Sequence, residues 1–166
     1  LKVADDVTAC VEAGYTFFTF DPGAHVDNEA HTAGLSTLQR KFDALPWDQL
    51  HDHPDAMRAR YVGRIQQIEA WTFRFDEQAL LRAACKYGAA LAHVARLYRV
   101  LADEKGNAGF EVEISVDETE TPTSPLEHIF IASELRRLGV TWISLAPRYV
   151  GRFEKGVDYI GDLATF

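Results

Sequence analysis

Across residues 110–117 apolar and polar side chains alternate without a break. Val112, Ile114 and Val116 fall on one face of an extended strand, and Glu111, Glu113, Ser115 and Asp117 on the other. A half-buried strand turns a polar face to water, but this one is acidic, and Glu118 and Glu120 follow at once. That concentration is self-repelling unless a cation lies nearby, either a metal or the bases downstream. Ser124, Pro125 and Glu127 then supply an N-cap, a first-turn proline and a capping-box acid, so a helix is predicted to start there, and Gly139 to end it. Ile129, Phe130, Ile131, Leu135 and Leu138 make its core face, with Glu134, Arg136 and Arg137 turned partly outward. The apolar run 140–146 is rich in β-formers, and strand, helix and strand in this length form a βαβ unit with parallel strands.

The chain opens on the same rhythm. Val7, Cys10 and Val11 have helical spacing within 4–13, Gly14 closes that helix, and 15–20 is a strand running into Asp21-Pro22-Gly23. A short helix is predicted over 35–45, stopped before Pro46, and 47–54, with His51, His53 and flanking prolines, reads as a loop. His51 and His53 are read as surface histidines rather than a metal pair, because a spacing of two in a polar loop is a weak ligand signal. In 61–75, Trp71, Phe73 and Phe75 alternate as in a strand, yet the segment equally suits an excursion packed against a barrel wall. Asp76 caps the longest helix, where Leu80, Ala84, Tyr87, Leu91, Val94, Tyr98 and Leu101 recur in steps of three and four. Cys85 and His93 on that helix are packing residues.

In parallel α/β folds the chemistry lies beyond the carboxyl ends of the strands, so Asp21, Asp117 and Arg148 would converge on one rim if their strands share a sheet. Asp21 also suits plain turn formation before Pro-Gly. With 47% hydrophobic residues the chain can bury a sizeable core within one domain, 1–166. The net charge of −8 argues against a nucleic-acid partner. No apolar run is long enough for a membrane helix. Two cysteines without a ligand motif, Cys10 and Cys85, fit free thiols in a reducing cytoplasm. Three predicted parallel strands suit part of a (β/α)8 TIM-like barrel, which needs about 250 residues when complete. The chain starts at Leu1 and ends with 162–166 reading as the first turn of a helix, so a segment of a longer barrel is expected; a self-sufficient doubly wound domain is the competing architecture. The pentapeptides 60–64 and 148–152 are identical, but nothing around them matches, so they are not a structural repeat.

The runs Glu113-Ile114-Ser115-Val116-Asp117-Glu118-Thr119, Thr121-Pro122-Thr123 with His128, Ser144-Leu145-Ala146-Pro147-Arg148, and Gly151-Arg152-Phe153-Glu154-Lys155-Gly156-Val157-Asp158-Tyr159 resemble the tagaturonate epimerase family of hexuronate catabolism. Phe18-Thr19-Phe20-Asp21 and Lys86-Tyr87-Gly88 also fit, so the resemblance covers nearly the whole chain, weakest over 46–75. It implies a divalent-metal-dependent barrel enzyme that interconverts D-fructuronate and D-tagaturonate. Metal ligands are then expected from an Asp-His motif just before Leu1 and from histidines beyond Phe166, and residues 1–166 alone are expected to be inactive.

Granted a ketouronate substrate, the two epimers differ at carbon 4, whose hydrogen is not adjacent to the ketone at carbon 2. Retro-aldol cleavage between carbons 3 and 4, rotation of the aldehyde and re-addition would invert that centre, with a carboxylate taking the 4-hydroxyl proton and a metal stabilising the enediolate. Glu113, on the acidic side near the strand end, is the leading acid/base candidate and Asp117 the second; Glu118 is the metal-ligand candidate, and Asp117 and Glu118, closer to the rim, also suit sugar hydroxyls. Arg148, Arg152 and Lys155, with Asp21, are the substrate-binding candidates, since guanidinium binds carboxylate bidentately. Arg152 and Lys155 also suit surface pairing with Glu154, Asp158 or Asp162. His128 reads as structural, with a rim role open. A sugar-acid aldolase and a noncatalytic sugar-acid-binding module remain as alternatives.

Overall fold

Three strands, β1 (Phe17–Phe20), β4 (Glu111–Val116) and β5 (Ser144–Pro147), form a parallel sheet in the order β1-β4-β5 in the computed structural model, which describes residues 1–106, 108–154 and 156–166. Phe17 to Phe20 pair in register with Glu111 to Ile114, and Glu113 to Val116 with Ser144 to Pro147. The fold is therefore mixed α/β with the expected parallel sheet.

Helices cover one face of it. The buried side chains of that face, Phe18, Phe20, Val112, Ile114 and Val116, meet the stripe of α5 (Glu77–Lys105) and the inner residues of α6 (Pro125–Arg137). All the predicted stripe residues of α5 are fully buried except Tyr98, which is half-buried. Asp76 caps this helix by accepting from the Ala79 N–H at 2.7 Å. On α6 the capping box closes as predicted, Ser124 Oγ accepting from the Glu127 N–H and Glu127 accepting from the Ser124 N–H. Gly139, at φ 78°, then turns the chain into a conformation that costs any other residue. Helix α1 (Ala4–Glu12) and α2 (Leu35–Asp43) pack against α5 from outside. Gly88 lets α2's following loop come close, since a Cβ there would lie 3.1 Å from the Leu45 methyls.

The segment 47–54 departs from the loop expectation. Trp47–Leu50 forms α3, closed by His51 in the left-handed conformation, and Pro54–Tyr61 forms α4 with Pro54 in its first turn. The two prolines that suggested a loop begin helices instead, a position where the missing N–H is no loss. Leu50 and Met57 anchor this pair in the core. Residues 65–74 are an antiparallel hairpin, β2 (Ile65–Ile68) and β3 (Trp71–Arg74), that stands apart from the parallel sheet and exposes Ile65, Ile68 and Trp71. The alternation at Trp71 and Phe73 thus marks a strand, with Phe75 just beyond it in an isolated bridge to Val62. No helix of the described residues is long and apolar enough to cross a membrane.

Glu134 does not face outward. It is 1% exposed, accepts from Tyr61 Oη at 2.7 Å, and pairs with Arg60 (3.2 Å) and Arg137 (2.7 Å), while Asp52 joins the same two arginines. Arg137 also donates to the Leu50 carbonyl at 2.9 Å. The periodicity of α6 identifies the face on the sheet, but α3 and α4 cover a second face, and a carboxylate there is tolerable only because cations meet it. The copies of the repeated pentapeptide lie in unlike settings, 60–64 ending α4 and 148–152 following β5.

Candidate functional site

Each strand of the parallel sheet ends on a polar residue at its carboxyl end: Asp21 after β1, Asp117 and Glu118 after β4, Arg148 after β5. The three predicted rim residues therefore do sit on one edge of one sheet. Their side chains form separate groups.

Asp21 and Glu118 are drawn together by Lys2, whose Nζ lies 2.8 Å from Asp21 and 3.7 Å from Glu118. Asp21 also accepts from the Gly23 N–H at 2.9 Å, the turn role foreseen for it. Partial burial opposes ionisation of Asp21, but the Lys2 and Gly23 hydrogen bonds and the Lys2 charge outweigh it and hold the carboxyl below its usual range. Asp117 is exposed and accepts from Ser115 Oγ.

Glu113 lies deeper than the strand-end position assigned to it. It is the third of six residues of β4, about 13 Å along the strand from Asp117 at a rise of roughly 3.3 Å per residue. It projects from the face opposite the helices, where Glu111, Glu113 and Ser115 line up as the alternation requires. Both its oxygens are engaged: Thr19 Oγ1 donates to one at 3.1 Å, and Ser144 Oγ to the other at 2.7 Å. Thr19, Glu113 and Ser144 are register partners, so one row of three strands holds one carboxylate by two hydroxyls. Neither hydroxyl is identifiable from sequence, since the partners stand 94 and 31 residues away.

Arg148 is half-buried, and among the described residues no carboxylate pairs with its guanidinium. With His128, Thr123, Trp71 and Phe73 it lines a cavity of about 440 Å³ between the hairpin, the start of α6 and the end of β5. Burial pushes the His128 imidazole below its usual pKa, so the neutral form is favoured in that apolar wall. Arg152 is exposed and bridges by its main chain to Ile160; no acid pairs with it among the described residues. Lys155 lies outside the described residues. The surrounding tail is organised by aromatic packing of Tyr149, Phe153, Tyr159 and Phe166, with Tyr159 Oη against Gly151, where a Cβ would be only 2.3 Å away.

His93 and Cys85 are buried packing residues, as expected. His93 stacks on His25 at 4.0 Å and hydrogen-bonds the Lys2 carbonyl at 2.7 Å, and burial pushes the Cys85 thiol up to about 12. Cys10 and Cys85 are unpaired. His51 and His53 are exposed. Among the described residues no group of three or more His, Cys, Asp or Glu side chains is placed to hold a metal ion. Asp21 and Glu118 make a pair already bridged by Lys2, so the described residues do not by themselves constitute a metal centre.

The class of protein this defines is a mixed α/β one with a parallel sheet, acids on its uncovered face and, among the described residues, an arginine without a carboxylate partner on its carboxyl rim, the edge where parallel α/β folds place their ligand sites. The tagaturonate epimerase family model matches residues 1–166, and the chain belongs to that family. It is 42% identical over its whole length to a tagaturonate/fructuronate epimerase of Thermotoga maritima. Crystal structures of a fructuronate-tagaturonate epimerase from Cohnella laeviribosi superpose with TM-scores of 0.87, in a one-glycerol complex at 36% identity and in the native form at 35%, each covering 99% of this chain. The chain spans about a third of the length of these relatives, 33% in the Thermotoga protein.

Proposed function

We propose that the protein carrying this chain is an isomerase that interconverts D-fructuronate and D-tagaturonate by inverting carbon 4. The observation that carries this reading is the family match along all 166 residues, together with the name of the 42%-identical relative. The three parallel strands are taken as one arc of a (β/α)8 barrel, with the Glu113 face turned to its interior. Divalent-metal dependence is part of the proposal, with Glu118 as this chain's contribution. Because the residues described here do not form a ligand set, no chemical step is assigned to the metal.

Arg148 is assigned to the uronate carboxylate, for which a guanidinium offers two parallel donors, with Arg152 and Lys155 as further cationic candidates. Glu113 is assigned the proton of the 4-hydroxyl, and Asp117 and Asp21 the sugar hydroxyls nearer the rim. Removal of that proton lets the bond between carbons 3 and 4 break, leaving an aldehyde at carbon 4 and an enediolate on the ketone fragment. Rotation of the aldehyde before the bond re-forms inverts the centre, and Glu113 returns the proton to the new hydroxyl.

The test is the full-length protein incubated with fructuronate, with and without added divalent metal after chelation. Tagaturonate is the expected product, and its formation should require the metal; stable three-carbon fragments without tagaturonate would identify an aldolase instead. Running the reaction in heavy water tests the mechanism. In retro-aldol inversion the hydrogen on carbon 4 never leaves carbon, so the initial product should carry no deuterium there by NMR and mass spectrometry. Stoichiometric deuterium at carbon 4 would replace the cleavage route with direct proton exchange.

A further inference from the structure

Lys86 and Tyr87, neighbours on α5, are both buried and both end in polar groups that the chemistry above does not use. Lys86 Nζ reaches Thr121 Oγ1 at 3.1 Å and Glu127 at 3.2 Å, the acid that also closes the cap of α6. Tyr87 Oη lies 3.4 Å from Thr123 Oγ1. Thr123 in turn takes the main chain of Arg148 from both sides. Its N–H donates to the Arg148 carbonyl at 2.8 Å, and its Oγ1 accepts from the Arg148 N–H at 3.0 Å. Arg148 follows Pro147, the last residue of β5, whose partner in the sheet is Val116. With the strand fixed behind it and its own N–H and C=O both held, Arg148 has little freedom in the direction of its Cα–Cβ bond. Ordinary loop closure would be served by apolar packing; a lysine that is 1% exposed is costly to bury and is used here to hold the same loop.

We propose that Thr123, backed by Tyr87, is a positioning residue that fixes the main chain of Arg148 and so aims its guanidinium at the carboxylate of a sugar-acid substrate. The inference rests on the carboxylate-binding role of Arg148 proposed above. A displaced guanidinium loses a bidentate contact that planar geometry makes sensitive to direction, so the effect should fall on substrate affinity more than on turnover.

Steady-state kinetics of the full-length protein with fructuronate test this. Thr123→Val keeps the shape and removes the hydroxyl, and is expected to raise KM about tenfold with kcat much less affected. Thr123→Ser should recover most of the loss, and Tyr87→Phe, which keeps the buried ring, should raise KM in the same direction by less. The decisive measurement is the double variant: Thr123→Val should add nothing in an Arg148→Ala background, because a residue acting through Arg148 has nothing left to act on. The same KM penalty in both backgrounds, or a fall in kcat alone, would mean a merely structural role and overturn the inference. Wild-type kinetics for Thr123→Val and Tyr87→Phe, with KM raised in Arg148→Ala, would overturn it while leaving the carboxylate role of Arg148 standing. An unchanged KM in Arg148→Ala would remove both.

Discussion

Replacing Glu113 by Gln in the full-length protein is expected to lower kcat by about 100-fold or more while the protein stays folded. The substitution keeps the volume and an amide able to meet the hydroxyls of Thr19 and Ser144, which now lie 3.1 and 2.7 Å from the two carboxylate oxygens. What it removes is a group that can take and return a proton. The fold should survive because the row joins three strands already paired through their main chains, with the helix-covered face of the sheet untouched. Turnover of fructuronate and the far-ultraviolet circular dichroism of the variant, measured together, separate the two effects. An unchanged kcat would transfer the acid/base role to Asp117, which stands at the rim, and would leave Glu113 as a brace between strands.

The reverse pattern is expected at the other end of α6. Glu134→Ala should destabilise the protein by about 3 kcal/mol or more, the size associated with breaking a buried charge pair by removing one partner. Glu134 is 1% exposed and meets Arg60, Arg137 and the Tyr61 hydroxyl; without it two guanidiniums share Asp52 and the Tyr61 Oη loses its acceptor. With Glu134 in place, burial and then its charge push the Tyr61 hydroxyl far above its usual pKa, which keeps it a neutral donor to that carboxylate. Urea unfolding followed by circular dichroism measures the loss. Because the network lies near the last turn of α6, away from the carboxyl rim, kcat below the transition should be unaffected. A stability change within about 0.5 kcal/mol would place these charges among the surface pairs that contribute little.

The chain's local grammar was legible. Strict alternation marked β4, the Ser124, Pro125 and Glu127 cap marked α6, and Asp76 with a continuous apolar stripe marked α5, because each of these signals involves residues within a few positions of one another. The rim was legible for the same reason, once parallel strands were inferred: a residue directly after a strand sits at its carboxyl end whatever else surrounds it. Misreadings arose where one local signal has two meanings. Pro46 and Pro54 break one helix or begin another, and only the burial of Leu50 and Met57 decides between those readings.

The sequence by itself thus determined the strand-helix-strand frame, the acidic face, the polar strand ends and, through its motifs, the family. Tertiary structure alone decided what each polar group meets. Thr19 and Ser144 reach Glu113 because strand register, set by packing of the opposite face, brings them level. Arg60 and Tyr61 reach Glu134 because α4 covers a flank of α6 that periodicity along α6 does not register. Thr123 holds Arg148 because a buried lysine and tyrosine on α5 pin the loop between them. Hydrophobic spacing reports which way a residue points along its own element, whereas the identity of its partner depends on elements tens of residues away whose approach is fixed only when the core is packed.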